Sequence, residues 1–258
     1  PGGGWPPPWA VKSARTRLHP KRGAGASWLL EAGRERLVDG RVMKFVLAAA
    51  AVAALALSGS ASAETRALSG FSAVKAVDHI TVEVRRGPQY AIEVTGPEVD
   101  RIVTSIDMDG ALKINERNRP WFGPDRGVNA LVRVTMPTVT DLAAAKGATM
   151  TAYDIEGEDV SLVAAMCAEL TINGACHAVD ATAAMGGMVR AAAFHCPTAD
   201  ISAALGGDVR VFATDTFDAT AAMGGSVHIS GGAHGDTTAA MGGSIEIADG
   251  GRADDRTA

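Results

Sequence analysis

One phrase organises this chain. DATAAMGG at 180–187 returns as DISAALGG at 200–207, DATAAMGG at 218–225 and DTTAAMGG at 236–243. Two weaker copies precede it, DLAAAKGA at 141–148 and SLVAAMCA at 161–168. The residue before the glycine pair is Lys146, Met166, Met185, Leu205, Met223 and Met241, at spacings of 20, 19, 20, 18 and 18. A repeat of this length is one small structural unit. It buries its apolar side only by stacking on its neighbours, so the chain is a solenoid.

Each copy reads as a short strand, a Gly-Gly corner, a second strand and a variable turn. In the first strand the alternating positions are Leu162/Ala164/Met166, Ala181/Ala183/Met185, Ile201/Ala203/Leu205 and Ala219/Ala221/Met223. In the second they are Leu170/Ile172, Val189/Ala191, Val209/Val211, Val227/Ile229 and Ile245/Ile247. Period 2 marks strands even where alanine favours helix. A helical repeat needs longer unbroken stretches than the gaps between glycine pairs allow, and the leucine–asparagine ladder of a horseshoe is absent. The expectation is a β-helix, one coil per repeat, with coils in parallel register at about 4.8 Å. Met and Leu at the marker form one internal ladder, Val and Ile another. Alanine at the central inward position makes the interior narrow. The glycines stack at one corner, where positive φ or a missing Cβ is required. On this reading Met223 points inward and His228 outward.

The flanks differ in texture. Residues 64–140 read as ordinary strands and turns, supplying the first coils and a cap; 141–248 are the repeated coils. Within the former, 116–128 form a long exposed loop around Trp121 and Phe122. Residues 249–258 read as a frayed, disordered tail. Met43-Lys44, an apolar run from Phe45 and the small-residue site Ala61-Ser62-Ala63 read as a secretory signal over 43–63, with Glu64 the mature N-terminus. Residues 1–42 read as a disordered upstream extension outside the native protein. The alternatives are a genuine extension or an uncleaved membrane anchor. Export places the mature chain in an oxidising compartment.

Charge excludes one class of partner. Residues 64–258 hold 15 basic and 26 acidic residues, a balance of −11 that opposes binding to nucleic acid. Asp141, Asp180, Asp200, Asp218 and Asp236 recur five residues before the marker, and the last four line up near one corner of a stack. Local hydrogen bonding in a turn explains them most simply; a calcium site and a carboxylate pair for sugar chemistry are the alternatives. The outward position of the second strand reads Thr171, Arg190, Arg210, His228, Glu246, a mixed-sign face suited to solvent or to a weak ligand. His79, His177, His195, His228 and His234 never stand at zinc spacing with Cys or carboxylate. No catalytic, cofactor or metal residues emerge, and no cofactor is expected. Cys176 and Cys196 fall on neighbouring coils within a residue of the same azimuth. Either they form a disulfide, leaving Cys167 free, or all three are buried thiols. Cys167 itself reads as a small corner residue in place of glycine.

LSGFSAVK (68–75), HITVEVRRG (79–87), YAIEVTG (90–96) and the glycine-punctuated repeat resemble the putative auto-transporter adhesin, head GIN domain family of bacterial exported proteins. The resemblance spans about 66–248. It implies an all-β fold, a right-handed parallel β-helix with short strands and Gly-Gly corners. It implies a noncatalytic module of the periplasm or outer cell surface, for adhesion or ligand binding, with a protein or glycan partner and no membrane span in the mature chain. The alternative is a β-helical protein that binds or degrades polysaccharide.

Overall fold

The computed structural model describes residues 63–117 and 127–248, and the backbone of 252–257. The predicted signal segment up to residue 62, the upstream extension, Trp121 and Phe122 lie outside the described residues. The N-terminal strands are β1 (Ala63–Arg66), β2 (Ala73–Val77), β3 (Thr81–Arg86), β4 (Ala91–Thr95), β5 (Ile102–Ile106), β6 (Leu112–Glu116) and β7 (Leu131–Met136). The repeats supply β8 (Asp141–Ala145), β9 (Thr149–Ala165), β10 (Glu169–Ala184), β11 (Met188–Ala204), β12 (Asp208–Ala222), β13 (Ser226–Ser230), β14 (His234–Ala240) and β15 (Ser244–Ile247). The last strand is β16 (Arg252–Thr257).

These strands wind into a right-handed parallel β-helix. The long strands β9 to β12 bend midway and belong to two faces. On the first face the order is β1-β4-β7-β3-β9-β10-β11-β12-β13-β15. On the second, β5-β6-β2-β8 leads into the C-terminal halves of β9 to β12, then β14 and β16. Neighbours in the stack run parallel, whereas β1–β4, β4–β7 and β5–β6 are antiparallel and lie at the N-terminal end. Coil order departs from chain order there. The β2–β3 coil sits between β6–β7 and β8–β9, because β2 pairs with β6 and β8 while β3 pairs with β7 and β9. At the other end β16 pairs in parallel with β14 where the sequence reads as a frayed tail. The open edge of β14 offers unpaired N–H and C=O groups that a following segment can extend.

The interior is narrow, as the alanines imply. Ala144, Ala164, Ala183, Ala203 and Ala221 form a row with no more than 1% exposure. Across from them stand Met150, Leu170, Val189, Val209 and Val227, all fully buried. Small side chains on one face stand against larger ones on the other, and each buried Val or Leu contributes about 1.5–3 kcal/mol.

The marker ladder is not internal. Met166, Met185, Leu205, Met223 and Met241 are exposed by 44, 44, 50, 46 and 78%. Ala184, Met185, Gly186 and Gly187 form a tight turn, with Gly187 N–H donating to Ala184 O at 2.9 Å. Met185 has φ 50° and Gly186 φ 74°, the pair of left-handed residues that defines a type I′ turn. Alternation of side chains holds only for extended backbone. It ends at Ala184, and the left-handed conformation swings the next side chain outward. The same turn recurs at Leu205, Met223 and Met241, with φ from 46 to 51°. Gly187 is required for another reason: a Cβ there would stand 2.2 Å from Ala164 O on the preceding coil.

Candidate functional site

Of the two outer faces, the first neutralises itself. Thr171, Arg190, Arg210, His228 and Glu246 stand in one register column, as the repeat implies. Each arginine in the column meets a carboxylate, and His228 stands beside one. Arg190 pairs with Glu169, Arg210 Nε lies 3.2 Å from Asp208, and His228 Nδ1 lies 3.0 Å from Glu246. Further along the same face, Arg133 Nε donates to Glu83 at 3.1 Å. Glu83 faces Arg133 and His228 faces Glu246 in register, whereas Glu169 reaches Arg190 diagonally and Asp208 lies two residues before Arg210 on the same strand. Most of the charge on this face is thus taken up in pairs.

The second face differs. Asp141, Ser161, Asp180, Asp200, Asp218 and Asp236 stand in register along β8, β9, β10, β11, β12 and β14. They lie within strands, not in a corner turn. Asp141 accepts a hydrogen bond from Thr140 Oγ1 at 2.7 Å, and Asp180 one from Thr182 Oγ1 at 3.5 Å. Burial, together with the flanking charges of Asp180 and Asp218, raises the Asp200 carboxyl above the ordinary value. Asp200 therefore stands beside two like charges, one on each neighbouring coil.

Beside it runs a column that the sequence reading did not isolate. Thr182, Ser202, Thr220 and Thr238 stack in register two residues after each aspartate. The sequence carries the signal as Asp-x-Thr/Ser in each strong copy. A further pair, Thr198 and Thr216, flanks the aspartates on the other side. Their hydroxyls are 3.5 Å apart. Carboxylates and hydroxyls therefore form a regular lattice. At its N-terminal end an open groove of about 490 Å³ is lined by Thr140, Asp159, Ser161, Asp180, Thr198 and Asp200.

The remaining candidates stand apart. Among the described residues no three His, Cys, Asp or Glu side chains converge as a metal-ligating group. His195 packs on Phe212 with ring centroids 4.4 Å apart. Cys176 and Cys196 are joined by a disulfide with Cα atoms 4.8 Å apart, one coil to the next. That deciding geometry is the parallel stack itself. Cys167 is the free, exposed third cysteine, with φ 59° where later coils have glycine. No helix among the described residues is long and apolar enough to cross a membrane.

A parallel β-helix that stacks short repeats in register belongs to the class of β-solenoid proteins. The chain belongs to the putative auto-transporter adhesin, head GIN domain family, whose profile matches residues 70–233. It is accordingly an exported, noncatalytic module of the periplasm or cell surface. In fold it is similar to a putative adhesin from Bacteroides fragilis, at 13% identity and TM-score 0.50, covering 75% of this chain and 96% of that one. A putative adhesin from Parabacteroides merdae matches at 13% identity and TM-score 0.43, covering 73% of this chain and 96% of that one. A putative lipid binding protein from Parabacteroides distasonis matches at 18% identity and TM-score 0.40, with coverages of 74% and 98%. No curated protein matches the chain.

Proposed function

We propose that this module binds an extended, hydroxyl-rich glycan without cleaving it, through the carboxylate–hydroxyl lattice of the second face. The observation that supports this reading is the pairing of the Asp180–Asp200–Asp218–Asp236 column with the Thr182–Ser202–Thr220–Thr238 column at the same repeat. Carboxylates accept hydrogen bonds from sugar hydroxyls, and threonine or serine hydroxyls both donate and accept. A column spaced at about 4.8 Å suits a linear partner that repeats its donors. The negative field favours neutral over acidic polysaccharides. Adhesion then follows from many weak contacts along one chain.

The test is a glycan-binding screen on the exported chain and on a D180N/D200N/D218N variant, followed by titration of any neutral polysaccharide retained. Loss of binding in the folded variant supports the reading. Unchanged binding by the variant, or capture of acidic polysaccharides or basic peptides alone, overturns it. Shortening of the bound polysaccharide would favour the degrading alternative.

A further inference from the structure

A type I′ turn favours Asn, Asp or Gly at its first central position. The repeat instead places Met166, Met185, Leu205, Met223 and Met241 there, with φ between 46 and 54°. That conformation is unfavourable for a residue with a side chain. Core packing offsets none of it, because these side chains are 44–78% exposed. A single exposed apolar side chain is ordinary; a contiguous row of them marks a contact surface.

The row is continuous because hydrogen bonds hold the turns in register. Met166 N–H donates to Ala184 O at 3.3 Å, and Cys167 N–H to Met185 O at 3.1 Å. Gly186 N–H donates to Leu205 O and Gly206 N–H to Met223 O, both at 3.2 Å. At the coil spacing the ridge is about 19 Å long. An alanine precedes each of its residues, and a glycine or Cys167 follows. The strip is therefore three residues wide, uncharged and low on both flanks, so that another surface can approach it closely. Lys146 takes the same turn position one coil earlier and ends the strip with a charge, 3.9 Å from Asp78.

We propose that this ridge is a self-association surface, on which a second copy of the chain packs antiparallel about a two-fold axis at Leu205. The ridge reads Met, Met, Leu, Met, Met in either direction. The axis sets Leu205 against the partner's Leu205, Met185 against the partner's Met223 and Met166 against the partner's Met241. An isologous contact of this kind closes on itself as a dimer. A parallel two-fold would bring Lys146 against the partner's Lys146, whereas the antiparallel one sends the two ammonium groups to opposite ends. Five side chains exposing roughly 100 Å² each bury about 1,000 Å² over two copies, the low end of specific interfaces, so the dimer is weak and reversible. Flexible methionines adapt their shapes to one another across it. The balance of −11 over residues 64–258 disfavours an anionic lipid surface as the occupant.

The test is sedimentation velocity of the full exported chain over about 1–500 µM, where a reversible monomer–dimer equilibrium is expected. L205N and M223N supply a residue that the turn favours, so each should melt no lower than the parent while weakening dimerisation about tenfold. The double variant L205N/M223N should stay monomeric. Orientation is read with a short bismaleimide, since Cys167 is exposed beside the ridge. In M241C the introduced thiol should join to the partner's Cys167, whereas in the parent Cys167 and the partner's Cys167 stand about 19 Å apart and should not join. A monomer at every concentration, growth beyond a dimer, unchanged dimerisation of the folded double variant, or a Cys167–Cys167 cross-link in the parent would each overturn the proposal. Binding to phosphatidylcholine vesicles that the double variant loses, with no dimer in the parent, would assign the ridge to lipid instead.

Discussion

Met223 shows how one backbone angle reverses the consequence of a substitution. Its φ of 49° turns the side chain to solvent, where it is 46% exposed. Met223→Asp should therefore shift stability by no more than about 0.5 kcal/mol. Ala221, two residues earlier, is fully buried in the alanine row. Ala221→Asp should cost about 3–5 kcal/mol, because the carboxylate has no partner inside the stack. Denaturant midpoints of the two variants check this directly, and equal losses would reject the outward placement. Met223→Gly should stabilise by about 1 kcal/mol, since glycine carries no penalty in the left-handed region. Thermal melts of that variant against the parent measure the strain held at the corner.

At the scale of strands and coils, two cross-coil contacts carry opposite signs. The Cys176–Cys196 disulfide ties β10 to β11 across a sequence separation of 20 residues. Closing a loop of that size in the unfolded chain is worth about 3 kcal/mol. A C176A/C196A variant should lose that amount in denaturant melts, and reductant should lower the parent alone. The aspartate column works the other way. The Asp200 carboxyl is raised by burial and by Asp180 and Asp218, so the folded state resists its ionisation. The penalty is absent below the unfolded carboxylate pKa. It grows as pH rises through the higher folded value and is complete above it. Asp200→Asn should therefore stabilise by about 0.5 kcal/mol near neutrality, discounted for solvent screening, and the gain should vanish in acid. Melts across that range test the sign. A pH-independent difference would show that repulsion in the column is not its source.

For the molecule as a whole, each coil touches mainly the coils above and below it. Stability is then close to a sum of coil and interface contributions. Deleting residues 206–223 joins Leu205 to Gly224 and removes one turn of the repeat in register. The shortened chain should keep its β-sheet circular dichroism and melt cooperatively at a lower temperature. Collapse to an unfolded chain would mean that coil identity, rather than coil stacking, holds the fold. The N-terminal end is secured differently. Glu98 accepts the Asn129 N–H at 2.7 Å, and Arg101 bridges Glu98 and Glu116. Lys75 holds Asp107 at 2.8 Å, which lowers that carboxyl's pKa. These contacts stand beside the antiparallel edges, where the repeat no longer dictates pairing.

The repeat by itself determined the solenoid, the parallel register and the Val/Ile side of the core. These follow from periodicity: every coil meets a near copy of itself, so in-register stacking satisfies all coils at once. The same logic placed the aspartates in one column, and Thr171, Arg190, Arg210, His228 and Glu246 in another. It also brought Cys176 and Cys196 to neighbouring coils, though only the three-dimensional arrangement chose the bond over free thiols. Three features belong to the tertiary structure alone. The direction of Met185 and its equivalents depends on φ at a turn, and a count of two per strand carries no information once the backbone leaves the extended region. The placing of β2–β3 between β6–β7 and β8–β9 depends on which edges pair, and outside the repeat nothing in the local sequence encodes the partner. The contrast between a self-neutralised face and an anionic one depends on which carboxylates reach which cations across coils, a matter of distance that one-dimensional spacing does not contain.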